Sequence, residues 1–180
     1  MVQLVFSKRY SFWSAYISNN DKRLPDIEIK LDSGSPITVI SIPSLLQITG
    51  ESIGSFSAKL KKYLLKCRPA MYGGYGDSDS NGQTLSLQFV PYLLKGIIIE
   101  GESIPVFLFW VDISGFSSGH IVNRSTLFGF DYLSLGDKHF DQKDNFYIEF
   151  DPYKIDASGV EYAITNYSDE ICEIKSELFV

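Results

Sequence analysis

The chain has 180 residues, of which 44% are hydrophobic, enough to bury one core without metal or disulfide staples. Its 16 basic and 22 acidic residues leave a net charge of −6, which argues against nucleic-acid and anionic-membrane partners, since both reward a basic face. Cys67 and Cys172 make no disulfide framework and no CxxC zinc spacing, residues 1–10 do not read as a signal peptide, and no run approaches a membrane span. A soluble, cytoplasmic protein is expected, and the 14% aromatic content leans towards β structure.

In chain order, residues 10–18 and 26–31 alternate like strands around an Asn19-Asn20-Asp21 turn, which predicts a hairpin. An apolar run at 37–42 follows the break Asp32-Ser33-Gly34-Ser35-Pro36. Over 53–66, Ile53, Phe56, Leu60 and Leu64 recur at spacings of 3, 4 and 4, predicting a helix with that buried stripe and a solvated lysine face. Strands are predicted at 84–94, 96–100 and 104–111, the last two joined by a turn at Gly101-Glu102. A Gly-bearing loop spans 114–124, a short apolar run ends at Gly129, one or two helical turns cover 130–135, and the last strand is 146–150.

Charge divides the chain. Residues 151–180 hold seven acids and two bases, net −5, so residues 1–150 are nearly neutral, with 15 acids and 14 bases. The reading is a β-rich domain at 1–150 with an acidic extension at 151–180.

The chemistry centres on Leu31-Asp32-Ser33-Gly34-Ser35. Apolar strands on both sides draw this polar loop inward, where a carboxylate must be hydrogen-bonded or share a proton. An Asp held on such a tight loop is a candidate for acid–base work.

Three features in order resemble the retropepsin-like aspartic proteases. The segment from Ile29 to Ser35 is similar to that family's active-site loop. Met71-Tyr72-Gly73-Gly74-Tyr75-Gly76 is similar to its Gly-rich flap. The stretch from Thr126 to Leu133 is similar to its apolar-apolar-Gly strand and closing helix. The chain departs at Phe130, where many retroviral members carry Arg, and in the acidic, polar segment after the flap glycines. The resemblance implies a mostly β fold, a closed β-barrel with a flap hairpin and one or two short helices. It further implies hydrolysis of peptide or protein substrates with no cofactor and no metal.

Such hydrolysis needs two carboxylates, one ionised as base for water and one protonated to polarise the scissile carbonyl. Two like charges that close hold one proton between them. The chain has a single Asp-Ser-Gly, because Asp112-Ile113-Ser114-Gly115 and Asp156-Ala157-Ser158-Gly159 carry an extra residue. An active enzyme therefore needs Asp32 from two chains in a homodimer. The resemblance assigns Asp32 to the dyad, Ser33 to a hydrogen bond between the two loops and Gly34 to an amide facing the carboxylate. Gly73, Gly74, Tyr75 and Gly76 become the hairpin that closes on an extended peptide.

The alternative is a catalytically inactive module of the same fold that binds peptides or partners. The acidic extension would either add strands to the dimer, as the alternating Val2, Leu4 and Phe6 suggest for the other terminus, or cover the cleft. Asp77-Ser78-Asp79-Ser80-Asn81-Gly82 opens like a calcium loop, but Gln88 stands where the bidentate Glu belongs. His120 and His139 lack partners at metal-ligand spacing and read as loop residues.

Overall fold

Alternation of apolar and polar residues forms the first strands as expected. A computed structural model describes residues 1–19, 23–78, 84–155 and 178–179, the side chains of 71–78 and 84–86 excepted. Strand β1 (Val2–Arg9) turns at Tyr10 into β2 (Phe12–Ser18), which pairs antiparallel with β3 (Ile27–Leu31), Ala15 opposite Ile29. Then follow β4 (Val39–Ser41), α1 (Ile42–Thr49), α2 (Ile53–Leu64), β5 (Ala70–Ser78), β6 (Thr84–Ile99) and β7 (Glu102–Asp112). The described elements continue with β8 (Thr126–Phe128), α3 (Phe130–Leu133), β9 (Asp137–Phe140) and β10 (Asn145–Phe150).

Neighbouring strands run β6-β7-β4-β8-β3-β2, and β2 returns to β6 through Ile17 opposite Ile99. This ring closes a six-strand barrel, the mostly β architecture with short helices that the sequence led us to expect. Strand β5 extends β6 as a hairpin, and β1, β10 and β9 continue the sheet outward from β2. No helix among the described residues is long and apolar enough to cross a membrane.

Two chain-order neighbours, β3 and β4, are separated in the sheet by β8, which runs parallel to β3 and antiparallel to β4. The 32–38 connection must therefore cross the end of β8, and that crossing positions the polar loop. The core beneath it is aromatic. Tyr132 on α3 is fully buried, stacks on Phe107 at 4.6 Å and on Phe128 at 5.2 Å, and meets Phe150 edge-on at 5.2 Å. Its hydroxyl accepts a hydrogen bond from the Leu108 amide at 2.8 Å, so burying the ring leaves no orphaned oxygen. Burying one such ring contributes on the order of 2–3 kcal/mol.

Several expectations need correction. The apolar run at 37–42 supplies β4, but its last residue opens helix α1, which the sequence reading did not assign; Ser41 caps it by accepting from the Ser44 amide, Pro43 sits in its first turn, and Gly50 closes it. That Ser-x-Pro start with a Gly stop was the available signal. On α2 the buried stripe is Phe56, Leu60 and Tyr63, whereas Ile53 and Leu64 are exposed. On the lysine face Lys61 and Lys62 are exposed, and the Lys59 ammonium lies 2.9 Å from Glu51. Strand β6 passes unbroken through Gly96, and the hairpin turn falls at Glu100-Gly101, one residue early. The short exposed strand β9, rich in charge, gave no alternating signal. Cys67, buried just beyond α2, is disulfide-bonded.

The termini also differ from expectation. Val2, Leu4 and Phe6 do alternate inward, but β1 is no edge: it pairs from Val2 to Ser7 with β10 of the same chain. Phe179 docks on β6, its amide donating to the Pro91 carbonyl and its carbonyl accepting from the Leu93 amide. Pro91 is tolerated in mid-strand because β5 stops pairing at Phe89 and the bridge to Phe179 uses the Pro91 carbonyl and the Leu93 amide, not the Pro91 nitrogen. Phe56, Tyr63 and Tyr92 cage the Phe179 ring edge-on at 5.0–5.9 Å. Most of the acidic extension, and the calcium-like segment from Asp79 on, lie outside the described residues.

Candidate active site

Asp32 is the first residue past β3, and its amide prolongs the β3–β8 ladder by donating to the Phe128 carbonyl at 3.0 Å. The chain then turns, with the Ser35 amide donating to the Asp32 carbonyl at 3.1 Å. The Gly34 amide donates to Asp32 Oδ1 at 2.9 Å, the contact assigned to it from the sequence. A side chain on Gly34 would put its Cβ 3.2 Å from that same oxygen, so glycine leaves the carboxylate room to sit over the amide. Among the described residues no other hydrogen bond reaches the Asp32 carboxylate, which is half-buried beside the exposed Ser33 and Gly34.

The far side of the loop is pinned to Gly129 and its successors. The Phe130 amide donates to the Ser35 carbonyl at 2.8 Å and the Asp131 amide to that of Pro36 at 3.2 Å. A Cβ on Gly129 would lie 2.3 Å from the Ile37 carbonyl oxygen and 2.7 Å from that of Ser35. Only glycine lets the crossing loop lie this close to the end of β8.

Thr38 and Asp131 lock the crossing from below. Asp131 Oδ2 accepts the Thr38 amide at 3.1 Å, and Oδ1 accepts the Thr38 hydroxyl at 2.7 Å and the Tyr132 amide at 2.8 Å. The Thr38 hydroxyl in turn accepts the Gly129 amide at 3.0 Å. Burial pushes the Asp131 carboxyl up to about 6, against the lowering effect of those donors. The sequence reading assigned neither residue a role. A lone acid inside Leu127-Phe128-Gly129-Phe130-Asp131-Tyr132-Leu133 was the signal, since a carboxylate in an apolar run must be buried with donors.

Gly73, Gly74, Tyr75 and Gly76 lie on β5, in the β5–β6 hairpin, whose pairing shifts register between Gly73 and Ser78. Their side chains are outside the description, but the root of the hairpin can be placed. Leu87 and Phe89 of β6 line one cavity of about 340 Å3 together with Ser35, Pro36 and Ile37, the residues just after the Asp32 loop. Ser33 lines a second cavity with Trp13, Leu31 and the exposed Phe130 and Phe140. Among the described residues no three His, Cys, Asp or Glu side chains gather as a metal site.

Asp112, which the sequence reading excluded as a second active-site aspartate, is buried at the end of β7. It accepts the Ser114 amide at 2.9 Å and lies 3.1 Å from Arg124 Nε. His139 stacks on Tyr147 at 4.8 Å, on the outer strands.

No family model matches this sequence, and no curated protein matches it. Among solved structures the chain is similar to a retropepsin-like aspartic protease from Rickettsia conorii, at 13% identity and a TM-score of 0.48 over 82% of this chain and 90% of that one. The geometry around Asp32, rather than this likeness, carries the functional reading.

Proposed function

We propose that this chain is an aspartic endopeptidase whose residues 1–150 carry the site and whose second catalytic aspartate comes from another copy. The observation that carries the reading is Asp32 itself. Its carboxylate is fixed by the Gly34 amide on a loop locked to β8, and its remaining face stands beside exposed Ser33 and Gly34. One such carboxylate holds half of a dyad; two brought together by a two-fold axis share a proton. The ionised member takes a proton from water as its oxygen attacks the scissile carbonyl carbon, and the protonated member donates to the carbonyl oxygen. Collapse of the resulting diol breaks the C–N bond, a carboxyl proton passing to the leaving nitrogen. Ser33 would join the two loops, and the 73–76 hairpin would cover the peptide.

Asp32→Asn tests this directly. Cleavage of an unstructured peptide falls by at least about 10²-fold while the melting temperature is kept. A variant as fast as the wild type overturns the reading.

A second reading, a non-catalytic peptide-binding module, draws on β1. Val2–Ser7 is already filled by the chain's own β10, so the strand exchange expected of the termini is not needed here. Turnover of any peptide that is abolished by an active-site-directed inhibitor disposes of this reading.

A further inference from the structure

The sheet ends at β9, whose residues Asp137–Phe140 are all exposed. On one side β9 pairs with β10, Phe140 opposite Phe146 and Lys138 opposite Ile148. The Asp141 amide donates to the Asn145 carbonyl, so by antiparallel alternation Asp137 and His139 turn their backbone groups towards β10. Those of Lys138 and Phe140 point away from it, where no strand among the described residues meets them. A lysine on such a strand ordinarily guards the edge, but the Lys138 ammonium folds back to the carbonyls of Leu133 at 2.7 Å and Gly136 at 2.9 Å. Beside the strand lies an apolar surface. Phe140 is 61% exposed and Phe130 45%, and with Trp13 and Leu133 they line a cavity of about 360 Å3 that reaches Ser33, the neighbour of Asp32.

We propose that a second copy of this chain docks on this edge, β9 pairing antiparallel with β9 of its partner about a two-fold axis. The assignment rests on the reading of Asp32 as half of a dyad, which leaves the site incomplete until a second copy arrives. Three observations single out this surface. An antiparallel pair of identical strands is self-complementary, so the outward amides of each copy meet carbonyls of the other and the assembly closes at two chains. The cavity that Phe140 lines is also lined by Ser33, so a copy held at β9 stands against the Asp32 loop. Strand β1, in contrast, is already occupied from Val2 to Ser7 by β10 of the same chain. A four-residue ladder is short, and the exposed aromatic rings beside it supply the apolar centre that a stable interface needs.

Sedimentation equilibrium of the full chain, amide hydrogen exchange and peptide cleavage test this together. The wild type reaches twice the chain mass. Exchange at the Lys138 and Phe140 amides slows as concentration rises, while His139 is protected at every concentration by its pairing with β10. Phe140→Glu puts a carboxylate from each copy into the apolar centre and weakens association by at least about tenfold, while the exposed position lets each chain stay folded. Phe140→Leu keeps the dimer. At one fixed concentration Phe140→Glu cleaves peptide at least about tenfold more slowly, and raising its concentration recovers rate. If Phe140→Glu does not fold, exchange at the two wild-type amides decides. A strict monomer, or a dimer in which Lys138 and Phe140 still exchange freely, overturns the proposal. Where that second dimer cleaves peptides, only this interface is lost and the protease reading stands. A dimer paired through β9 that cleaves no peptide supports the interface and removes the protease reading instead.

Discussion

Asp131 and Asp112 are both buried carboxylates, each 1% exposed and each joined to the apparatus around Asp32, yet their charges are handled in opposite ways. Asp131 is held by two backbone amides and one hydroxyl and touches no cation among its described contacts; burial raises it to about 6. Asp112 has one amide and a guanidinium that reaches towards solvent. Fixed neutral donors specify geometry, because amide positions are set by the backbone on both sides of the crossing. A long cationic side chain specifies charge and leaves geometry looser. The first arrangement lies beneath the loop that carries Asp32, and the second lies at the wall of the neighbouring cavity.

The rigid half of this comparison breaks most severely at Gly129. Gly129→Ala drives a Cβ into two carbonyl oxygens of the crossing loop, so a loss on the order of 4 kcal/mol is expected in urea unfolding, with no active protein recovered near 37 °C. A variant that unfolds like the wild type would show that the loop can lift off β8.

Asp131→Ala comes next. It leaves the Thr38 and Tyr132 amides buried without an acceptor, at a cost of about 2–4 kcal/mol, and it should lower peptide cleavage more than surface substitutions of equal stability. An equal loss of activity in stability-matched controls would reduce Asp131 to a structural residue with no hold on Asp32.

The smallest effect sharpens the contrast through pH. Asp131 has a folded value of about 6 against an ordinary 3.8, so the folded state binds its proton first. Its favourable contribution is complete below the unfolded value and is lost as pH rises through the folded one. Wild-type stability relative to Asp131→Asn should therefore increase between pH 7 and pH 4, measured as the difference between two urea curves at each pH. A flat difference would mean that the three donors offset burial fully.

Much of the framework was legible in local pattern. The β2–β3 pair, α2, β8, α3 and β10 all carry strong periodicity or clear turn chemistry within a few residues. The misreadings are where local pattern conflicts with context. An apolar run at 37–42 is strand up to Ser41 and helix from Ile42 onward, because a cap decides the change. Leu64 fits the helical stripe but faces solvent, while Tyr63 turns to meet Phe179 from the far end of the chain. The contact of the Gly34 amide with Asp32 was legible because it spans two residues and is written locally. Thr38 with Asp131, 93 residues apart, was not.

The sequence by itself determined the strand and helix inventory over most of the chain, the near-neutral body with its acidic extension, and the tight turn in which the Gly34 amide meets Asp32. These follow from short-range spacing, charge and turn chemistry. Tertiary structure alone decided that β8 lies between β3 and β4, that Gly129 is where the loop crosses, and that Asp131 and Asp112 find such different partners. Those facts depend on segments dozens of residues apart meeting in a closed barrel, and no local pattern records which distant donor a buried oxygen will find.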